Sequence, residues 1–188
     1  MMTPTRMRWI IVIALVAAAT VAIHYEVKVR LHAGMTTGSV RTLGRLSVGD
    51  DAPDFSLADL RDQPVTLASM RGRKVVLLDF WATWCGPCRM AMPGLQAIHD
   101  DLAAEGVELV SVNQAEPADR VRAFVDRKQY TFRTVLDGDG AVGDRYSVRA
   151  LPTVVVVDKQ GKVRRLSVGH EYDDTDLRKM LVSLAQEP

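Results

Sequence analysis

The stretch VVLLDFWATWCGPCRMAMP, Val75 to Pro93, decides how this chain is read. It opens on an apolar run of strand length, the pattern of a strand covered on both faces, and passes into a segment with helical spacing. Cys85 and Cys88, the only cysteines, fall at the changeover. A sulfur at a helix N-terminus faces unpaired backbone N–H groups and the positive end of the helix dipole, and both favour a thiolate. Cys85 is therefore expected to attack at neutral pH. Cys88, one turn further in, is expected to be shielded and to resolve the mixed disulfide that Cys85 forms. Gly86 and Pro87 suit this start, because proline presets the first-turn dihedral and leaves no N–H to satisfy.

Two other chemistries compete for a cysteine pair. A zinc site takes four ligands, and His24, His32, His99 and His170 lack the spacing to complete one. A purely structural bridge over so short a loop restrains the unfolded chain little. The redox reading uses the position of both sulfurs. It expects no metal and no cofactor beyond the Cys85–Cys88 disulfide itself; Met90 and Met92 read as core filler.

Composition narrows the class. The 24 basic and 23 acidic side chains nearly cancel, leaving a formal charge of +1 and no electrostatic case for nucleic acid. With 47% apolar and 25% charged residues, the chain has the make-up of a globular enzyme or binding module. Two cysteines cannot build a disulfide framework, so a hydrophobic core must hold the fold.

The N-terminus differs in kind. After Arg6 and Arg8 comes WIIVIALVAAATVAI, Trp9 to Ile23, without a charge. As a helix it reaches about 22 Å, short of a hydrocarbon core of about 30 Å, so it fits a signal-peptide core as well as a span. Ala17-Ala18-Ala19 suits cleavage, whereas Trp9 and Tyr25 bracket the run as interfacial aromatics would. The reading favours a retained anchor with the remainder exported. It divides the chain into an anchor or signal segment over 1–30, a glycine-dotted linker over 31–48, and a catalytic domain over 49–188.

Within that domain, DDAPDFSLADLRDQPVTLASMRG reads as a hairpin and a helical turn, and KVVLLDFWA as a buried strand. A helix is expected from Gly86 to about Ala104, with Met90, Leu95, Ile98 and Leu102 inward and Pro93 as a kink. VELVSVN is a second buried strand, PADRVRAFVDRKQ a helix with Pro117 at its first position, and AVGDRYSV a short helix. TVVVVDKQGKVRRLSVG reads as a closing hairpin and DDTDLRKMLVSLAQ as a last helix. Asp137 to Gly140 reads as a turn, since Ala141 breaks a calcium-ligand pattern. Alternating strands and helices imply an α/β fold with a mixed central sheet and helices on both faces.

Taken together, DFWATWCGPC and the later ALPTVVVVD resemble the thioredoxin superfamily, and within it the TlpA/ResA-like membrane-tethered thiol-disulfide oxidoreductases. GDDAPDFSL, VELVSVNQAE and LDGDGAVGDRYSVRALPT extend the resemblance from about Gly49 to the C-terminus. It implies a thioredoxin-like fold behind an apolar anchor helix, with Pro152 as a cis-proline facing the dithiol. Leu151 and Thr153 beside it would line a groove in which a partner backbone pairs as an added strand. It also implies a reductant in the bacterial inner membrane, with its catalytic domain on the periplasmic side. Protein thiols and disulfides would be its substrates, apocytochrome c cysteines among them, and a membrane protein its electron donor.

Two carboxylates stand out. Asp79 interrupts a strand buried on both faces, where desolvation should raise its pKa, unless it merely ends the strand in solvent. By resemblance it is the buried acid that assists proton transfer at the second cysteine. Glu116 falls where these relatives carry an active-site glutamate, although an acid beside Pro117 also simply favours a helix N-terminus. Trp81 reads as core and Trp84 as apolar surface around the sulfur. Two further readings are weaker: in a peroxiredoxin-like peroxidase Thr83 would stand at another spacing from the cysteine, and a copper chaperone of this fold would carry CxxxC.

Overall fold

The computed structural model describes Thr20, residues 38–169 and residues 174–188. The chain divides into two units, Met1–Thr36 and Thr37–Pro188. The segment expected as an anchor, residues 9–23, lies outside the described residues apart from Thr20, as does His170. Among the described residues no helix is long and apolar enough to cross a membrane.

The second unit is a thioredoxin-like α/β fold. Its strands are β1 (Gly38–Val40), β2 (Thr42–Leu43), β3 (Leu46–Ser47), β4 (Ser56–Ala58), β5 (Pro64–Thr66), β6 (Val75–Trp81), β7 (Val107–Gln114), β8 (Arg133–Asp137), β9 (Thr153–Val157) and β10 (Val163–Val168). Its helices are α1 (Gly86–Leu102), α2 (Ala118–Lys128), α3 (Ala141–Arg145) and α4 (Asp174–Gln186). A mixed sheet of six strands runs in the order β1-β10-β9-β6-β7-β8. β6 lies inside it, parallel to β7 and antiparallel to β9, and every β6 residue is buried.

Strand alternation sorts β6 between two cores. Val75, Leu77 and Trp81 pack with side chains of α1, α2 and α4, while Val76, Leu78 and Phe80 pack with Leu46, Phe55, Met70, Val142 and Tyr146. Helices thus cover one face. The other is closed mainly by the N-terminal hairpins and the 3-10 turn Ala68–Met70, and the helix expected on this face is the short α3.

Several expectations need correction. Residues 38–47, expected as linker, form β1, which pairs with β10, and the β2–β3 hairpin. These strands are too short to show a period, and only tertiary pairing identifies them. β8 was not anticipated; it is a five-residue edge strand, RTVLD, whose burial shows no clean alternation. Met90 is 63% exposed, because the buried stripe of α1 runs through Cys88, Ala91, Met92, Leu95, Ile98 and Leu102. Pro117 is the N-cap of α2, one position before the expected place. The Asp137 turn has a structural use: its carboxylate accepts from the Val142 and Gly143 N–H groups and from Gln114 Nε2, tying β7 and β8 to α3.

Candidate active site

The end of β6 delivers the dithiol. After Trp81 the chain turns through Ala82, Thr83 and Trp84, and Cys85 takes an extended conformation (φ −75°, ψ 108°) as N-cap of α1, with Pro87 in the first turn. Cys85 and Cys88 are joined as a disulfide with Cα atoms 5.3 Å apart. The Cys88 backbone N–H donates to Cys85 Sγ at 3.2 Å, the bond an N-cap oxygen would normally accept. A helix N-terminus therefore faces that sulfur, as expected. Both cysteines are nonetheless buried in the oxidised protein, Cys85 at 4% and Cys88 at 1% exposure. The exposed groups around them are Trp84, at 69%, with Gly86 and Pro87.

The Leu151–Pro152 peptide is cis, and it immediately precedes β9. Because β9 runs antiparallel to β6, with Thr153 opposite Phe80, this loop reaches the same end of the sheet as Cys85. Leu151 is half-buried and packs against the helix-side core that holds both cysteines. Thr153 is buried, and its hydroxyl donates to the Ala150 carbonyl at 2.7 Å. Of the expected groove residues, Leu151 is the one whose side chain is partly open.

Asp79 is 1% exposed, which removes the alternative of a solvated strand end. Its place in the alternation is that of Leu77 and Trp81, so it lies on the face covered by α1. Neither carboxyl oxygen has a hydrogen-bond partner among the described residues. Burial lifts its pKa from 3.8 to about 7. The Ser111 hydroxyl, in register beside it on β7, lowers the value without reaching good hydrogen-bond geometry, so desolvation prevails. The hydroxyls of Ser111 and, next in register on β8, Thr134 are also buried without partners among the described residues.

Glu116 is held differently. One oxygen accepts from the Thr83 N–H at 2.6 Å and from Asn113 Nδ2 at 2.9 Å, and the other accepts from the Thr83 hydroxyl at 2.6 Å. It makes no capping bond to α2. Both oxygens are thus committed, mostly to the loop that leads into Cys85. Asn113 and Ser111 were not singled out from the sequence, and Thr83 entered only through the peroxidase reading. The visible signal is that Ser111 and Asn113 interrupt VELVSVN at alternate positions, on the face Asp79 occupies. The side chains that could hold a metal are sparse: among the described residues no three His, Cys, Asp or Glu side chains are grouped.

The raised Asp79 pKa has a consequence for stability. Between pH 3.8 and about 7 the folded protein holds a proton that the unfolded chain has lost. Its contribution to stability is therefore present below about pH 4, falls as pH rises to about 7 and levels off above. The total loss is about 4 kcal/mol by linkage. Urea unfolding of the oxidised protein at pH 5 and pH 8 should show wild type losing stability relative to Asp79→Asn. An unchanged difference between the two proteins would contradict this assignment.

Comparisons with known proteins agree with the geometry. Residues 48–166 match the AhpC/TSA family. The chain is 40% identical to the thiol-disulfide oxidoreductase ResA of Geobacillus thermodenitrificans over 66% of its own length and 71% of that protein. With ResA of Bacillus subtilis it shares 37% identity over 66% and 69% of the two chains. A crystal structure from Chlorobium tepidum, assigned as the thiol:disulfide interchange protein DsbE, superposes with a TM-score of 0.68 at 33% identity, covering 74% of this chain and 98% of that one. A paired CxxC at a helix N-terminus, beside a cis-proline loop and on this sheet, places the chain in the AhpC/TSA family, among its ResA-like thiol-disulfide oxidoreductases.

Proposed function

We propose that this oxidoreductase is a reductant of protein disulfides, exported and held at the bacterial inner membrane by residues 9–23, with its catalytic domain on the periplasmic side. The observation that carries the redox mechanism is the Cys88 N–H aimed at Cys85 Sγ, which would hold a thiolate there in the reduced protein. That thiolate attacks one sulfur of the substrate disulfide. A mixed disulfide forms and the first substrate thiolate leaves. Cys88 then gives up its proton, attacks Cys85 Sγ and expels the second substrate thiolate. The substrate gains two electrons and the Cys85–Cys88 pair is oxidised. No cofactor enters this cycle, and a membrane electron donor restores the dithiol.

Asp79 is the acceptor we assign to the Cys88 proton. It lies on the same face of β6 as α1, and with a pKa near 7 it takes up and releases protons at working pH. Glu116 acts on the loop: by holding both the Thr83 N–H and hydroxyl it positions Trp84 and Cys85 for attack. Trp84, Gly86 and Pro87 form the rim on which a substrate lies, and the segment Leu151-Pro152-Thr153 forms its opposite side. The Gly-Pro dipeptide is similar to that of reducing thioredoxins, and this supports the direction. The ResA-like neighbourhood supports apocytochrome c cysteines as substrates.

Two experiments test this reading. Cys88→Ser should accumulate mixed disulfides with protein partners, visible as adducts on non-reducing gels, and Cys85→Ser should not; the opposite pattern would overturn the assignment. Alkaline extraction of membranes should leave the full-length protein in the pellet. Release into the soluble fraction of a mature chain beginning near Thr20 would instead show a cleaved signal peptide.

A further inference from the structure

The outward face of α2 carries a charge pattern that the redox chemistry does not use. Val121, Phe124 and Val125 are buried in the core, and helical spacing sets the exposed Arg120, Arg127 and Lys128 along the Phe124 side of the helix. With Thr83 and with Arg89 of α1, these residues line a cleft of about 410 Å³ whose lining contains no acidic residue. The chain as a whole carries a formal charge of only +1, so four cations around one cleft are a local concentration, not a reflection of composition.

Among the described residues nothing neutralises them fully. Arg120 lies 3.9 Å from Glu116, whose oxygens already accept from Thr83 and Asn113. Among the described residues, Arg89, Arg127 and Lys128 have no carboxylate partner; Arg127 instead lies over the Phe124 ring, 5.8 Å from its centroid. Like charges held this close repel one another, and a bound anionic group would relieve that repulsion.

The cleft begins at the reacting centre. Thr83 lies two residues before Cys85, and the Arg89 N–H donates to the Cys85 carbonyl at 3.1 Å. A disulfide brought to Cys85 therefore carries its flanking residues across these cations. We propose that the cleft between α1 and α2 docks an acidic segment beside the redox-active cysteine of the protein partner, so that the enzyme selects disulfides flanked by aspartate or glutamate. The inference rests on protein disulfides being the substrates, and it adds which of them are taken. Steering by such a surface raises the association rate and weakens with salt, since charges at a surface are screened beyond about 8–10 Å at physiological ionic strength.

The test uses reduced full-length protein and three peptides that share one disulfide and differ only in flanking residues, glutamate, glutamine or lysine. At low salt, kcat/KM should be about tenfold higher for the glutamate peptide than for the glutamine peptide and lower still for the lysine peptide. The preference should vanish in 1 M salt and in the variant Arg120→Gln/Arg127→Gln/Lys128→Gln. Because the readout is a ratio between peptides, any effect of these substitutions on the chemical step cancels. Equal kcat/KM for all three peptides in wild type would overturn the docking proposal while leaving the redox reading intact. Failure to reduce any peptide or a small neutral disulfide would overturn the redox reading itself. Binding to anionic but not neutral lipid vesicles that the triple variant loses, with no peptide preference, would assign the cleft to a membrane surface and also overturn the proposal.

Discussion

A carboxyl group sealed inside β6, without a hydrogen-bond partner among the described residues, is the constraint around which this site is arranged. A strand covered on both faces is where hydrophobic side chains stabilise most, and six of the seven β6 residues comply. Asp79 does not, and its desolvation costs the folded state stability whenever the group is charged. Valine or leucine there would pack against Val154 and the helix-side core without that cost. The strain is intelligible if the position is needed for proton transfer rather than for packing, since a carboxyl with a pKa near 7 is available only in such surroundings.

The rest of the site follows from how β6 ends. One short turn carries the chain from the buried strand to the N-terminus of α1, so the dithiol inherits both environments. Cys85 meets the helix terminus and the rim of Trp84, Gly86 and Pro87, whereas Cys88 faces the helix-side core. Glu116, two residues beyond the neighbouring strand β7, fixes that turn through Thr83. α2 is shared between these tasks. Its Phe124 packs against Trp81 in a tilted pair with ring centroids 5.4 Å apart, while Arg120, Arg127 and Lys128 beside it line the cleft that reaches Thr83.

Much of this was legible in the sequence where a segment's own pattern decides its structure. β6, β7, α1 and the closing hairpin stand where apolar runs and periodicity put them, and Asp79 was recognisable as an acid in an apolar run. The cis peptide at Pro152 was available only through family resemblance, because the residue type alone does not choose the isomer. The remainder depends on contacts distant in sequence. β1 exists because β10 is there to pair with it, and Glu116 owes its partners to Thr83, 33 residues away. Met90 misled because five-residue spacing from Leu95 looks helical but points to solvent. The basic cleft was hidden by a balanced net charge, since segregation appears only once α1 and α2 bring their cations around one cleft.

The most direct test of the account is the titration of Asp79 itself, followed by carboxyl ¹³C NMR in the oxidised protein, where neither cysteine titrates. Burial without a hydrogen-bond partner predicts a midpoint near pH 7. A midpoint below pH 5 would mean that the carboxylate is solvated or paired, and Asp79 could not then serve as the acceptor for the Cys88 proton at working pH.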